Sequence, residues 1–130
     1  MTIKFFNDDK GVRHMIKRIL AIKGKYAIEE AEDGLKAGKK LESFPADLVI
    51  LDIKMPQKDG YKTCMDIRNS INLKDIKILG ISGTSGKSGK ILVEKYGANR
   101  FLGKPFDSKL FKKIVEQLLR KDEKKRTDNL

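Results

Sequence analysis

Asp47-Leu48-Val49-Ile50-Leu51-Asp52-Ile53 is the most apolar run of the chain, and its hydrophobic residues are continuous rather than alternating. Continuity of this kind marks a strand covered on both faces, as at the centre of a parallel sheet. The strand ends on a carboxylate, Asp52. Working back towards the N-terminus, Pro45 closes a predicted helix from Leu35 to Phe44 capped by Asp33. Before it, residues 26–31 (Tyr-Ala-Ile-Glu-Glu-Ala) read as a more polar strand, suited to a sheet edge. Val12, Met15, Ile16, Ile19 and Leu20 recur at the spacing of one buried helical face, which Gly24 ends. Ile3-Lys4-Phe5-Phe6, running into Asn7-Asp8-Asp9, is the first strand.

Towards the C-terminus, Asp59 and Gly60 open a helix with Tyr61, Cys64, Met65 and Arg68 on one side, so Cys64 is expected in the core. Residues 76–82 form the fourth strand, and a loop rich in glycine and serine, 83–89, leads into a helix through Ile91, Leu92 and Tyr96. Phe101-Leu102-Gly103 is a brief fifth strand. Leu110, Phe111, Ile114, Val115, Leu118 and Leu119 then mark a final amphipathic helix. Residues 121–130, charged and without an apolar face, are expected to fray as a tail. Five strands alternating with five helices predict one α/β domain over residues 1–120, a parallel sheet with helices on both faces joined by right-handed crossovers.

A chain of 130 residues has room for one such domain. Charged residues make up 36% against about 25% in an average chain, yet at 39% hydrophobic the core is not starved. No apolar run is long enough to span a bilayer, and the N-terminus turns acidic too early for a signal peptide, so a cytoplasmic protein with no membrane partner is expected. Cys64 and His14 are the sole cysteine and histidine, which leaves oxygen ligands for any bound metal. Residues 1–60 hold 12 basic and 10 acidic side chains, net +2, whereas residues 61–130 hold 17 and 8, net +9. That field suits an acidic partner protein or nucleic acid on electrostatic grounds, although net charge speaks to association and does not identify a function.

In open parallel sheets ligands bind beyond the carboxyl ends of the strands. Asp8 and Asp9 follow the first strand, Asp52 ends the third, Ser82 ends the fourth and Lys104 follows the fifth, so all five should meet on one rim. Three carboxylates in one cleft repel one another and call for a cation, and Mg2+ takes oxygen ligands of this kind. With a lysine and a serine hydroxyl beside them, the set suits phosphoryl transfer, with Asp52 as nucleophile. A nucleotide-binding P-loop at Gly86-Lys87-Ser88 is disfavoured, because that motif needs a glycine where Ile81 stands.

Asp8-Asp9, the stretch from Leu51 through Asp52, Lys54, Met55-Pro56 and Asp59-Gly60 to Tyr61, Ser82-Gly83 and Lys104-Pro105-Phe106 together resemble the receiver domain of two-component response regulators, from about residue 3 to residue 120. The resemblance implies a flavodoxin-like (βα)5 fold with strand order 2-1-3-4-5. It implies further that Asp52 accepts a phosphoryl group from a sensor histidine kinase or histidine phosphotransfer protein. Mg2+ would be held by Asp9 and Asp52, by the main-chain carbonyl of Lys54, and by Asp8 through water. Lys104 would pair with the phosphoryl oxygens, and Ser82 would move to bond one of them. Phe101 would turn inward as the switch aromatic. Such a protein is a signalling switch, not an enzyme beyond its own phosphorylation and dephosphorylation.

Taken singly, each motif has a plainer reading: Asp8-Asp9 as a helix cap, Asp52 to Gly60 as turn chemistry, Phe101 as core. Their joint order favours the receiver. It is expected to stand alone without an output domain; the alternatives are a fragment of a longer regulator or hybrid kinase and, in another class, a basic nucleic-acid-binding module with a vestigial pocket, though nucleic acid is not the expected partner.

Overall fold

The computed structural model describes residues 2–7, 9–21, 26–31, 46–53, 60–70, 73, 75–82, 86–104 and 106–128. Their elements run β1 (Thr2–Phe6), α1 (Lys10–Ala21), β2 (Ala27–Ala31), β3 (Leu48–Asp52), α2 (Gly60–Asn69), β4 (Lys77–Ser82), α3 (Gly86–Tyr96), β5 (Arg100–Gly103) and α4 (Ser108–Asp128). The predicted helix from Leu35 to Phe44 lies outside the described residues. All strand pairs are parallel, in the order β2-β1-β3-β4-β5, so the apolar run is the middle strand and the polar one an edge.

Every residue of β3 is buried, as its unbroken hydrophobicity requires. Alternate side chains serve opposite faces. Val49 and Leu51 join Phe6, Ile78, Cys64 and Ile67 of α2, and Leu92 of α3 in one cluster. Leu48 and Ile50 join Ile3, Phe5, Leu79 and Ile81 with Ile16 and Leu20 of α1 and Phe111, Ile114, Val115 and Leu118 of α4 in the other. Each such side chain contributes about 1.5–3 kcal/mol when fully buried. The two clusters hold the sheet between helix layers and leave its carboxyl edge to polar residues.

Two expectations about buried helix faces need correction. Met15 is 43% exposed and Met65 41%, so both flank their helices' buried faces, which centre on Ile16 and Leu20 and on Cys64 and Ile67. At the C-terminus α4 continues to Asp128, over most of the residues expected as a tail. Residues 121–128 lack an apolar face but also lack proline and glycine, so nothing in their composition breaks the helix.

Candidate active site

Asp52 closes β3 with its residue only 5% exposed. Its backbone is pinned from two sides: the Ile53 N–H donates to the Ile81 carbonyl at 3.1 Å, and the Gly60 N–H donates to the Ile53 carbonyl at 2.7 Å. A Cβ on Gly60 would overlap the main chain of Asp52 and Ile53, so only glycine lets α2 start this close. The first turn of α2 thereby sets the height at which the Asp52 side chain leaves the sheet.

Two donors from other strand ends converge on one oxygen of that side chain. Lys104, just past β5, brings Nζ to 3.1 Å from Asp52 Oδ2. Asn7, just past β1, donates from Nδ2 to the same Oδ2 at 2.8 Å and is wholly buried. The Lys104 side chain is 27% exposed, so one side of this pair is open to solvent.

Asp9 is placed otherwise. Its carbonyl accepts from the Arg13 N–H at 3.0 Å, and its Oδ1 accepts from the N–H groups of Gly11 at 2.8 Å and Val12 at 3.2 Å. This is an N-cap, the carboxylate satisfying orphan amides of the first turn of α1. The exposed Asp9 side chain thus serves as a helix cap, one of the two roles open to it from sequence. Ser82 is the last residue of β4, in register with Gly103. The Ser82 side chain, and Asp8 and Lys54 entirely, lie outside the described residues. Among the described residues no three histidines, cysteines or carboxylates group closely enough to hold a metal ion.

Phe101 is half-buried on β5, and its ring packs against Gly89 of α3, where a Cβ would overlap it. The aromatic seat therefore depends on a glycine that sequence reading had assigned only to a loop. Asn7 was also missed, because it reads as one more polar residue leading into a turn. The signal that could have found it is Asp9 itself: a cap three residues before Val12 leaves Asn7, two residues earlier, as the strand-end side chain facing the pocket.

An open parallel sheet of order 2-1-3-4-5, with a buried aspartate at the tip of its middle strand met by a lysine from across the edge, defines the class of flavodoxin-like receiver folds. Residues 3–116 match the family model described as the response regulator receiver domain, and the chain belongs to that family. It is 32% identical over 106 residues to the response regulator MprA of Mycobacterium avium (strain 104), a match covering 82% of this chain and 45% of that protein. The chain thus spans about half the length of the curated relatives it matches. A crystal structure assigned to a response regulator of Chloroflexus aurantiacus J-10-fl superposes with a TM-score of 0.85 at 30% identity, covering 91% of this chain and 96% of the other. The receiver domain of the sensor histidine kinase PA1611 of Pseudomonas aeruginosa PAO1, solved with a magnesium ion in its active-site cleft, shares the fold at a TM-score of 0.83 and 23% identity, covering 91% and 96% of the two chains. No helix among the described residues is long and apolar enough to cross a membrane.

Proposed function

We propose that this receiver is a phosphorylation-driven switch whose phosphoacceptor is Asp52. The observation that carries the reading is the buried Asp52 carboxylate paired with Lys104 across the carboxyl edge of the sheet. An Asp52 oxygen forms a bond to phosphorus as the phosphorus–nitrogen bond of a donor phosphohistidine breaks. The electron pair stays with the imidazole, which takes up a proton. Lys104 then follows the negative charge from the carboxylate to the phosphoryl oxygens. Ser82, at the neighbouring strand end, supplies a hydroxyl to one of them, and Phe101 leaves its seat on Gly89 to fill the space vacated. Without a phenolic hydroxyl, Phe101 signals by shape alone.

The donors suit a hard cation, since Asp52 offers anionic oxygen while Cys64 is engaged with the Tyr96 carbonyl and His14 is exposed on α1. When bound, Mg2+ offsets the repulsion between carboxylate and phosphoryl oxygens. Asp52, Asp8 and the Lys54 carbonyl would hold it. Asp9, whose Oδ1 caps α1, would join them through its other carboxylate oxygen.

Incubation with Mg2+ and acetyl phosphate is expected to add one acid-labile phosphoryl group, and Asp52→Asn to abolish it, as read by intact mass. Uptake surviving in that variant refutes the assignment. Beryllofluoride with Mg2+ should shift the NMR signals of Phe101 and Gly89 in the same preparation.

The receiver acts alone or as the receiver portion of a longer regulator. The second reading draws on the 45% coverage of MprA, and a reading frame continuing past Leu130 would establish it.

A further inference from the structure

Asn7 bonds in two directions at once. Its Nδ2 donates to Asp52 Oδ2 at 2.8 Å, and its Oδ1 accepts the Asp9 N–H at 2.6 Å. Its main-chain carbonyl accepts from Arg13 Nη1 at 2.6 Å, and Arg13 Nε lies 3.8 Å from Glu30 Oε1 on β2. The amide has one workable orientation, because a backbone N–H must meet an acceptor and an ionised carboxylate oxygen must meet a donor. Aspartate at this position could serve Asp9 but has no hydrogen to give Asp52. It would instead set a second negative charge against the phosphoacceptor.

We propose that Asn7 is a positioning residue of the phosphoacceptor, holding the Asp52 carboxylate with a neutral, oriented donor and tying it to the first turn of α1. The inference rests on Asp52 being the residue phosphorylated. Two consequences follow. Removing the amide leaves Asp52 held at that oxygen by Lys104, a flexible cation, and slows attack. Replacing the amide with a carboxylate adds charge to the pocket, and cation affinity rises with the charge of the ligand set.

The test uses the full chain and its Asn7→Ala and Asn7→Asp variants, each checked for a native backbone NMR spectrum. For Asn7→Ala, the maximal rate of uptake from acetyl phosphate should fall about tenfold, with the Mg2+ concentration at half-maximal rate moving less than about twofold. The Cγ carbon signal of Asp52 should shift in the metal-free protein. For Asn7→Asp, the Mg2+ dissociation constant, titrated by NMR without any phosphodonor, should fall about tenfold. An Asn7→Ala protein whose uptake rate and Asp52 signal match the parent overturns the proposal. Should that variant not fold, the parent decides it: the Asn7 side-chain amide signals must move when beryllofluoride and Mg2+ are added, and an unmoved pair overturns the role. A parent never phosphorylated at Asp52 defeats the site assignment, whereas a phosphorylated parent with an indifferent Asn7 defeats this inference alone.

Discussion

Two polar clusters sit at opposite ends of the sheet, and they are built on different principles. At the amino ends, Arg68 of α2 donates from Nε to the Gly97 carbonyl at 2.8 Å, from Nη1 to the Ile76 carbonyl at 2.6 Å and from Nη2 to Asn99 Oδ1 at 3.0 Å. Asn99 Oδ1 also accepts the Ile78 N–H at 2.8 Å, and Gly97 turns the chain with φ 84° to present its carbonyl. At the carboxyl ends, Asp52 meets the side chains of Asn7 and Lys104. One cluster spends its donors mainly on main-chain acceptors that cannot move without unfolding the sheet ends. The other joins side chains that can change partners while the sheet stands still. Fixity belongs to the first and switching to the second.

The sharpest way to break that contrast is Arg68→Ala. Three hydrogen bonds from a charged donor are lost, two of them part-buried, so a loss of about 3 kcal/mol is expected in chemical denaturation. Phosphoryl uptake by the folded fraction should be unchanged. A stable variant that cannot be phosphorylated would put Arg68 in the switching cluster.

Next in size is an effect of pH on the same end of the molecule. Cys64 is fully buried on α2, its Sγ 3.0 Å from the Tyr96 carbonyl, and burial pushes its thiol up to about 11, with Arg68 opposing. Between the ordinary thiol range and that value the unfolded chain loses a proton that the folded chain keeps, so stability falls as pH rises through this window. The loss should approach about 2–3 kcal/mol near pH 11 and shrink in Cys64→Ala, as measured by urea melts at pH 8 and pH 10.5. Below the thiol range this contribution is fully present. A parent and variant with parallel pH profiles would show that the alkaline loss arises elsewhere.

The fold was legible because its signals are repeated. An unbroken apolar β3 admits only a central place in a parallel sheet, and the amphipathic spacing of α1 and α4 requires a face to cover. The meeting of Asp52 with Lys104, fifty-two positions apart, follows from topology alone, because every strand end in such a sheet points to one rim. What escaped was set by single-residue register. Whether Asn7, Asp8 or Asp9 faces the pocket depends on where β1 stops and α1 begins, and a shift of one residue turns a pocket side chain into a helix cap. Lys4 escaped for a similar reason. It was read as part of an apolar strand, and it is wholly buried with Nζ 3.3 Å from Glu29 Oε2, a neighbour that only the parallel register of β1 and β2 supplies.

The smallest expected change in stability tests the contrast from the other side. Lys104 forms an ion pair as short as many that hold proteins together, yet its side chain is partly in water and Asp52 keeps the Asn7 amide when the lysine is gone. Solvent weakens the Coulomb attraction, and methionine preserves much of the apolar stem, so Lys104→Met should alter unfolding free energy by no more than about 1 kcal/mol. The functional consequence should be out of proportion. Without a cation to follow the charge onto the phosphoryl group, the Phe101 and Gly89 NMR signals should lose most of their response to beryllofluoride and Mg2+. Were Lys104→Met as destabilising as Arg68→Ala, the carboxyl-end cluster would be structural cement like its counterpart. Were the Phe101 response intact, the lysine would be a bystander to the switch. A near-native melt with a silent Phe101 is the combination that separates a contact kept for holding the fold from one kept for moving within it.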